Sequence, residues 1–350
     1  MRLAVIGAGA AGLMAARALR ATRPDIEVTV YEQSADLGGR AATGRREGFA
    51  FDHGAQVIKS PTPEIERLLL EELPSGDLRR MQLPVWLFSS AGAITPGDEQ
   101  MNAEASWYYR GGNSRLGELL AEGLAVRRGV RVSRLNGRPF NVGRGAAYRL
   151  EDDAGREIAE AEAVLLTAPA GESAELLARS DIDGQLRDLL LGELAKGVYR
   201  RCISLALAYD TPLERPYYAL LNIDRAHPIS WLGLEHAKGS GRCPPGHSLL
   251  VAQLAPGSSQ ERWEQPEGEL AAEVAEMVSE LLGEELRRPL WWDRRAWRYA
   301  LPDGRSDFAA LNGTGSGLFF AGDYTAGQGR VHLALESGRR AAELIAGALQ

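Results

Sequence analysis

Gly7, Gly9 and Gly12 are spaced Gly-x-Gly-x-x-Gly, with Ala8, Ala10 and Ala11 between them, directly after the apolar run of residues 3–6. That spacing suits the holding of a dinucleotide pyrophosphate: Gly7 makes a tight turn, Gly9 lets phosphate oxygens reach the backbone, and Gly12 lets a helix lie close on a strand. The free N–H groups and positive end of that helix then face the phosphates. Glu32 stands 20 positions after Gly12 and ends the alternating run 26–31. A carboxylate there accepts from ribose hydroxyls and repels a 2′-phosphate, and Gln33 follows it. Leu37-Gly38-Gly39-Arg40, with Thr43, offers two residues for close backbone approach and a guanidinium for pyrophosphate.

Other chemistries find less support. The five histidines have no metal-ligand spacing, so no metal site is expected. No Ser/His/Asp or Cys/His set is evident. Cys202 and Cys243 form neither a disulfide framework nor a CxxC pair, which fits a reducing cytoplasm. The lysines are Lys59, Lys196 and Lys238; positive charge is otherwise arginine.

These residues need elements to position them. Residues 3–6 read as a buried strand, 13–19 continue with helical spacing, and 26–31 alternate as a second strand, the opening of a doubly wound α/β domain. A short strand at 49–52 and a helix at 65–73 follow, and Pro74, Pro84 and Pro96 then mark entry into a second domain. A helix at 116–124, a strand at 130–135 and a small sheet from 148–151, 157–158 and 163–167 return to the first. Strands at 198–208, 229–234 and 249–254 and an amphipathic helix at 266–282 build the second domain. A strand at 318–321 and a terminal helix at 330–349 close the chain. The expected division is a discontinuous cofactor domain of residues 1–75, 113–180 and 299–350, and a substrate domain of 76–112 and 181–298.

Composition agrees with a soluble enzyme. The 350 residues suffice for about two domains, and 45% apolar with 25% charged residues excludes a disordered or fibrous chain. No apolar run reaches the ~18 residues of a membrane span, and the glycines at 7, 9 and 12 interrupt the N-terminal run before it could act as a signal peptide. A net charge of −7 argues against nucleic acid as the main partner.

Together, the glycine turn, Glu32 and the Gly38-Gly39-Arg40 loop resemble the signature of the FAD-dependent amine oxidase superfamily. The resemblance extends to Phe51-Asp52-His53-Gly54-Ala55-Gln56, which would run beneath the isoalloxazine ring, and to Phe319-Phe320-Ala321-Gly322-Asp323, whose acidic residue would contact the ribityl–phosphate region. Gly329-Arg330-Val331 would open the last helix, with its N-terminus toward flavin O2 and N1. The fold implied is α/β: a Rossmann-like FAD-binding domain of the amine oxidase type with a second, α+β substrate domain on a mixed sheet. The implied cofactor residues are Gly7, Gly9, Ala11, Gly12, Glu32, Gln33, Gly39, Arg40, Gly54, Ala55, Gln56, Val57, Val132, Asp323, Arg330 and Val331. Within the superfamily the chain looks like the renalase-like bacterial flavoproteins at Gly54-Ala55-Gln56, Gly111-Gly112 with Leu116, Trp297-Arg298-Tyr299-Ala300 and the Gly329-Arg330-Val331 ending. It departs at Leu333 and Ile58, and the likeness does not explain His53 and His332, which would lie near the ring edge.

That likeness implies hydride transfer from a small amine or dihydronicotinamide to flavin N5, with O2 as acceptor and H2O2 as product. The flavin carries the hard step, so a protein acid or base is optional. Candidates for one are His53, Lys196 and His236. Tyr109, Trp231, Trp297, Tyr299 and Tyr324 are the candidate clamp on a flat substrate. His236 and Lys238 fall in a Gly-rich loop expected to be solvated. FAD is expected to be non-covalent, since neither cysteine matches a tethering position. The alternatives are a desaturase or protoporphyrinogen-oxidase-like enzyme, and a non-enzymatic flavin-binding redox sensor.

Overall fold

The computed structural model describes residues 1–137 and 147–348. The chain divides into two compact units: Met1–Gly39, Leu116–Tyr199 and Leu301–Gln350 form the first, and Arg40–Arg115 with Arg200–Ala300 form the second.

In the first unit the apolar strand Arg2–Ile6 lies in the middle of a five-stranded sheet. Glu27–Glu32 and then Ala125–Arg128 lie on one side of it, and Ala163–Leu166 and Leu318–Phe320 on the other. Every pairing is parallel, so both faces need cover, and the strand sequences are accordingly almost wholly apolar at the centre. The helix Ala10–Thr22 packs against the terminal helix Val331–Ala348 so closely that a Cβ at Gly338 would come 2.2 Å from the Ala11 carbonyl oxygen. Leu135, Leu150, Val164, Leu166, Leu177, Leu190 and Phe320 fill one core, each side chain contributing about 1.5–3 kcal/mol by burial.

The second unit is built on a seven-stranded mixed sheet. Its order runs Trp291–Pro302, Tyr199–Tyr209, Ser248–Leu254, Ile229–Leu234, Ala219–Asn222, Val85–Phe88 and Ile94–Pro96. Alternation assigns the faces. Ile203, Leu205 and Leu207 pack with Leu250, Ala252 and Leu254 against Leu270, Val274 and Val278 of the helix Glu267–Leu282. Ala206, Ala208, Leu249 and Val251 point the other way and meet Phe49, Phe51 and Trp291. No helix among the described residues is long and apolar enough to cross a membrane.

Local departures from the sequence expectation have identifiable causes. The strand expected at 130–135 is replaced by Ala125–Arg128 and Arg134–Gly137, because Gly129 turns the chain with φ 68°. Ala163–Leu166 joins the parallel sheet, and Arg134–Gly137 takes its place beside Tyr148–Glu151. The helix expected at 65–73 begins at Pro63, capped by Thr62, and widens to a π-turn over Leu68–Glu72. Residues 40–75 group with the second unit, where the expectation had them in the first, because their hairpin is tied to Glu235, Lys238 and Arg242. Residues 181–199 group with the first unit.

Candidate functional site

In the first unit the glycine turn has the geometry its spacing predicts. Gly7 has φ 109° and donates its N–H to the Tyr31 carbonyl at 2.8 Å. A Cβ at Gly12 would stand 2.1 Å from the Gly7 carbonyl oxygen, so only glycine fits. A Cβ at Gly9 would meet nothing within 4 Å. Gly9 is also the N-cap of the helix Ala10–Thr22, and as a glycine it has no side chain to occupy the first-turn N–H groups. Gly38 donates to the Ala8 carbonyl at 3.0 Å and pairs with Gly9, which lays the Gly38-Gly39 loop alongside the turn.

Glu32 is buried at the end of its strand. One carboxylate oxygen accepts from the Ala8 N–H at 2.8 Å, the other from the Ser34 N–H and hydroxyl at 2.8 and 2.7 Å, which fixes its orientation. Gln33 is exposed beside it. Asp323, 3% exposed, accepts from the Tyr199 hydroxyl at 3.1 Å, and Gly322 donates its N–H to the Ser337 hydroxyl at 2.9 Å. The terminal helix begins at Val331, and the Ala334 N–H reaches the Arg330 carbonyl at 3.2 Å, so Leu333 is accommodated without unwinding the first turn. Arg330 is exposed, Ala11 packs on Gly338, and Val132 lies in the core. An open, uncapped glycine cradle with an oriented carboxylate fits the phosphate and ribose of a dinucleotide.

The second unit carries the other motif residues. Ala55 donates to the Arg40 carbonyl at 3.0 Å, and a Cβ at Gly54 would stand 2.0 Å from that same oxygen. Gln253 donates to the Gly54 carbonyl at 2.8 Å, and Arg40 to the Ala300 carbonyl at 3.0 Å. Gln56 donates to the Asp52 carbonyl while its own side-chain oxygen is buried without a partner among the described residues. Val57 is half-buried.

Beneath this segment lies a group of residues that sequence reasoning missed. Asp52, Glu235, Lys238 and Arg242 are all buried. Arg242 pairs with Asp52 at 2.9 Å and Glu235 at 2.7 Å, while Lys238 pairs with Asp52 at 3.0 Å and also with Glu235. Thr43 and the Asn113 N–H complete the shell of Asp52 at 2.7 and 2.9 Å. Burial alone would raise the Asp52 pKa, but the Lys238 and Arg242 charges outweigh it and hold it at about 2. For Glu235 burial wins and the pKa is raised. Lys238 is therefore a structural cation, not the solvated loop residue expected. The pattern Glu235…Lys238…Arg242 was visible, but the partner that draws it inward, Asp52, is remote in sequence.

The three candidate acid–base residues separate. Both ring nitrogens of His236 are taken by backbone, with Leu249 at 3.1 Å and the Leu213 carbonyl at 2.7 Å, so it braces loops and is not a base. Lys196 is a surface residue paired to Glu193 at 2.6 Å, which removes it as well. His53 lies edge-on to Phe51, its Nε2 3.5 Å from Asp293 and its Nδ1 without a partner among the described residues. Burial lowers its pKa against the pull of Asp293, keeping the ring neutral at pH 7.

The aromatic candidates separate too. Tyr324 is fully enclosed in the core of the first unit, its ring against Gly322, and burial raises its pKa. Tyr109 is equally enclosed, its pKa pushed up to about 12 by burial. Neither is a substrate wall. Trp231, Trp297 and Tyr299 remain half-buried on the sheet of the second unit.

The chain resembles known proteins over nearly all its length. Residues 5–72 match the NAD(P)-binding Rossmann-like domain, and 77–346 match the flavin containing amine oxidoreductase family. A 4,4′-diapophytoene desaturase (4,4′-diaponeurosporene-forming) of Staphylococcus haemolyticus is 36% identical over 72 residues, 21% of this chain and 14% of the relative. The provisionally assigned protoporphyrinogen oxidase of Exiguobacterium sp. 255-15 superposes with TM-score 0.75 at 17% identity, covering 99% of this chain and 98% of the other. The cyclohexylamine oxidase of Brevibacterium oxydans IH-35A does so with TM-score 0.73 at 14% identity, covering 99% of each. At these identities the superpositions speak for the fold. With the family match running through both units and a cradle suited to FAD, the chain belongs to the flavin containing amine oxidoreductase family and is an FAD-dependent oxidoreductase.

Proposed function

We propose that this protein is a renalase-like oxidase of the cytoplasm that takes hydride from a small amine or dihydronicotinamide and delivers the electrons to O2, giving H2O2. Bound FAD supplies the hydride acceptor, N5, and the route for the electron pair to oxygen. The uncapped glycine turn would bind the pyrophosphate through backbone N–H groups. Glu32, oriented by Ala8 and Ser34, would accept from the ribose hydroxyls. Trp231, Trp297 and Tyr299 would hold a flat substrate.

One observation carries the reading: of the three candidate acid–base residues, His236 and Lys196 are engaged elsewhere, and His53 alone of the three keeps a ring nitrogen without a partner among the described residues. Such a site suits donors that expel hydride without a strong protein base, as neutral amines and dihydropyridines do. The thiols favour non-covalent attachment: burial pushes Cys202 up to about 12 and also raises Cys243, which disfavours the thiolates that a tether would need. The test is anaerobic titration of the holoenzyme with a panel of amines and reduced nicotinamides, followed at the flavin band. Bleaching by a panel member, and return of colour with H2O2 on admitting air, is expected. A flavin that every panel member leaves oxidised overturns the proposal.

A further inference from the structure

The edge strand Trp291–Pro302 carries arginines on successive positions, and alternation sends them to opposite faces of the sheet. Arg294 goes to the helix-covered face, where it donates to the Trp263 carbonyl at 2.6 Å and lies 3.7 Å from Glu267. Arg295 shares the other face with Trp291, Asp293, Trp297 and Tyr299. That face meets the motif segment: His53 Nε2 is 3.5 Å from Asp293, and a Cβ on Gly54 would be 3.5 Å from the Trp297 ring. Arg295 is exposed and has neither an ion pair nor a hydrogen bond among the described residues. Its guanidinium lies over the Trp297 ring at 5.0 Å. A guanidinium stacked in this way is held in place by the aromatic face while its N–H groups stay available to an acceptor. Its charge also reaches His53, where it opposes protonation.

We propose that Arg295, held on Trp297, is a specificity-determining residue that selects substrates bearing a phosphate and disfavours cationic amines. A phosphate carried on the ribose of a ring nucleotide would receive two N–H bonds from the guanidinium, while an ammonium would meet a like charge, and Asp293 on the same face is already beside His53. The inference rests on the oxidase reading only for the identity of the reacting ring.

The test separates the two. The holoenzyme is titrated calorimetrically with 1,4,5,6-tetrahydronicotinamide mononucleotide and with the corresponding nucleoside, neither of which donates hydride. The phosphorylated probe is expected to bind about tenfold more tightly, by an amount that shrinks with added salt. In Arg295→Gln the two probes bind within about twofold, the nucleoside affinity staying at the parent value, and Arg295→Lys recovers part of the gap. Equal affinities in the parent, no measurable binding of either, or a gap that survives in Arg295→Gln would overturn it. Should the gap follow Arg295 while the dihydronicotinamide counterparts of both probes leave the flavin unbleached, the selection stands and the oxidase reading falls.

Discussion

Four ionisable side chains out of contact with water set the energetics of the motif segment. Removing one partner of a buried pair strands the other charge, at a cost of about 3–5 kcal/mol. Lys238→Met is therefore expected to destabilise the protein by that order at pH 7, seen as a lower urea midpoint. The pH response carries a finer mark. The Asp52 pKa is depressed from 3.8 to about 2, so its stabilisation is present above the unfolded value and is lost as pH falls toward 2. That share is about 2 kcal/mol. Glu235, raised by burial, acts oppositely, its share being lost as pH rises through its folded pKa. Without Lys238 the pKa of Asp52 rises, so the variant should lose less stability than the parent between pH 4 and 2; parallel losses would contradict the account. Gly7, Gly9, Gly12 and Glu32 were legible at this scale because backbone geometry demands their types at fixed spacing. His236 and Lys238 were not, because Leu213, Leu249 and Asp52, which occupy them, are remote in the chain.

At the scale of elements, the glycine turn makes a paired prediction. An added methyl at Gly9 enters open space, whereas at Gly12 it strikes the Gly7 carbonyl. Gly9→Ala should keep the parent thermal midpoint and bind FAD more weakly, since the methyl occupies the phosphate approach. Gly12→Ala should lose both stability and FAD. Thermal unfolding with and without added FAD distinguishes them, and equal unfolding losses in both variants would contradict the assignment. The long amphipathic helix was read almost to the residue, 266–282 against Glu267–Leu282, because its apolar period is strong. The strand at 130–135 failed because a single left-handed glycine, Gly129, outweighs its local apolar content.

For the whole molecule, the central strands of both sheets were legible as apolar runs, whereas Ala125–Arg128, Ala219–Asn222, Ile94–Pro96 and Trp291–Pro302 were not read. The allocation of residues 40–75 was not, since it depends on a buried ion cluster and not on local pattern. Identities of 17% and 14% with proteins that superpose over 99% of this chain make the same point: most residues can change while the fold persists. The most direct test of the account is the spectrum of the purified protein before and after acid precipitation. A yellow protein is expected, its flavin passing wholly into the supernatant as FAD, about one per chain. A colourless protein that takes up no FAD on incubation would contradict it.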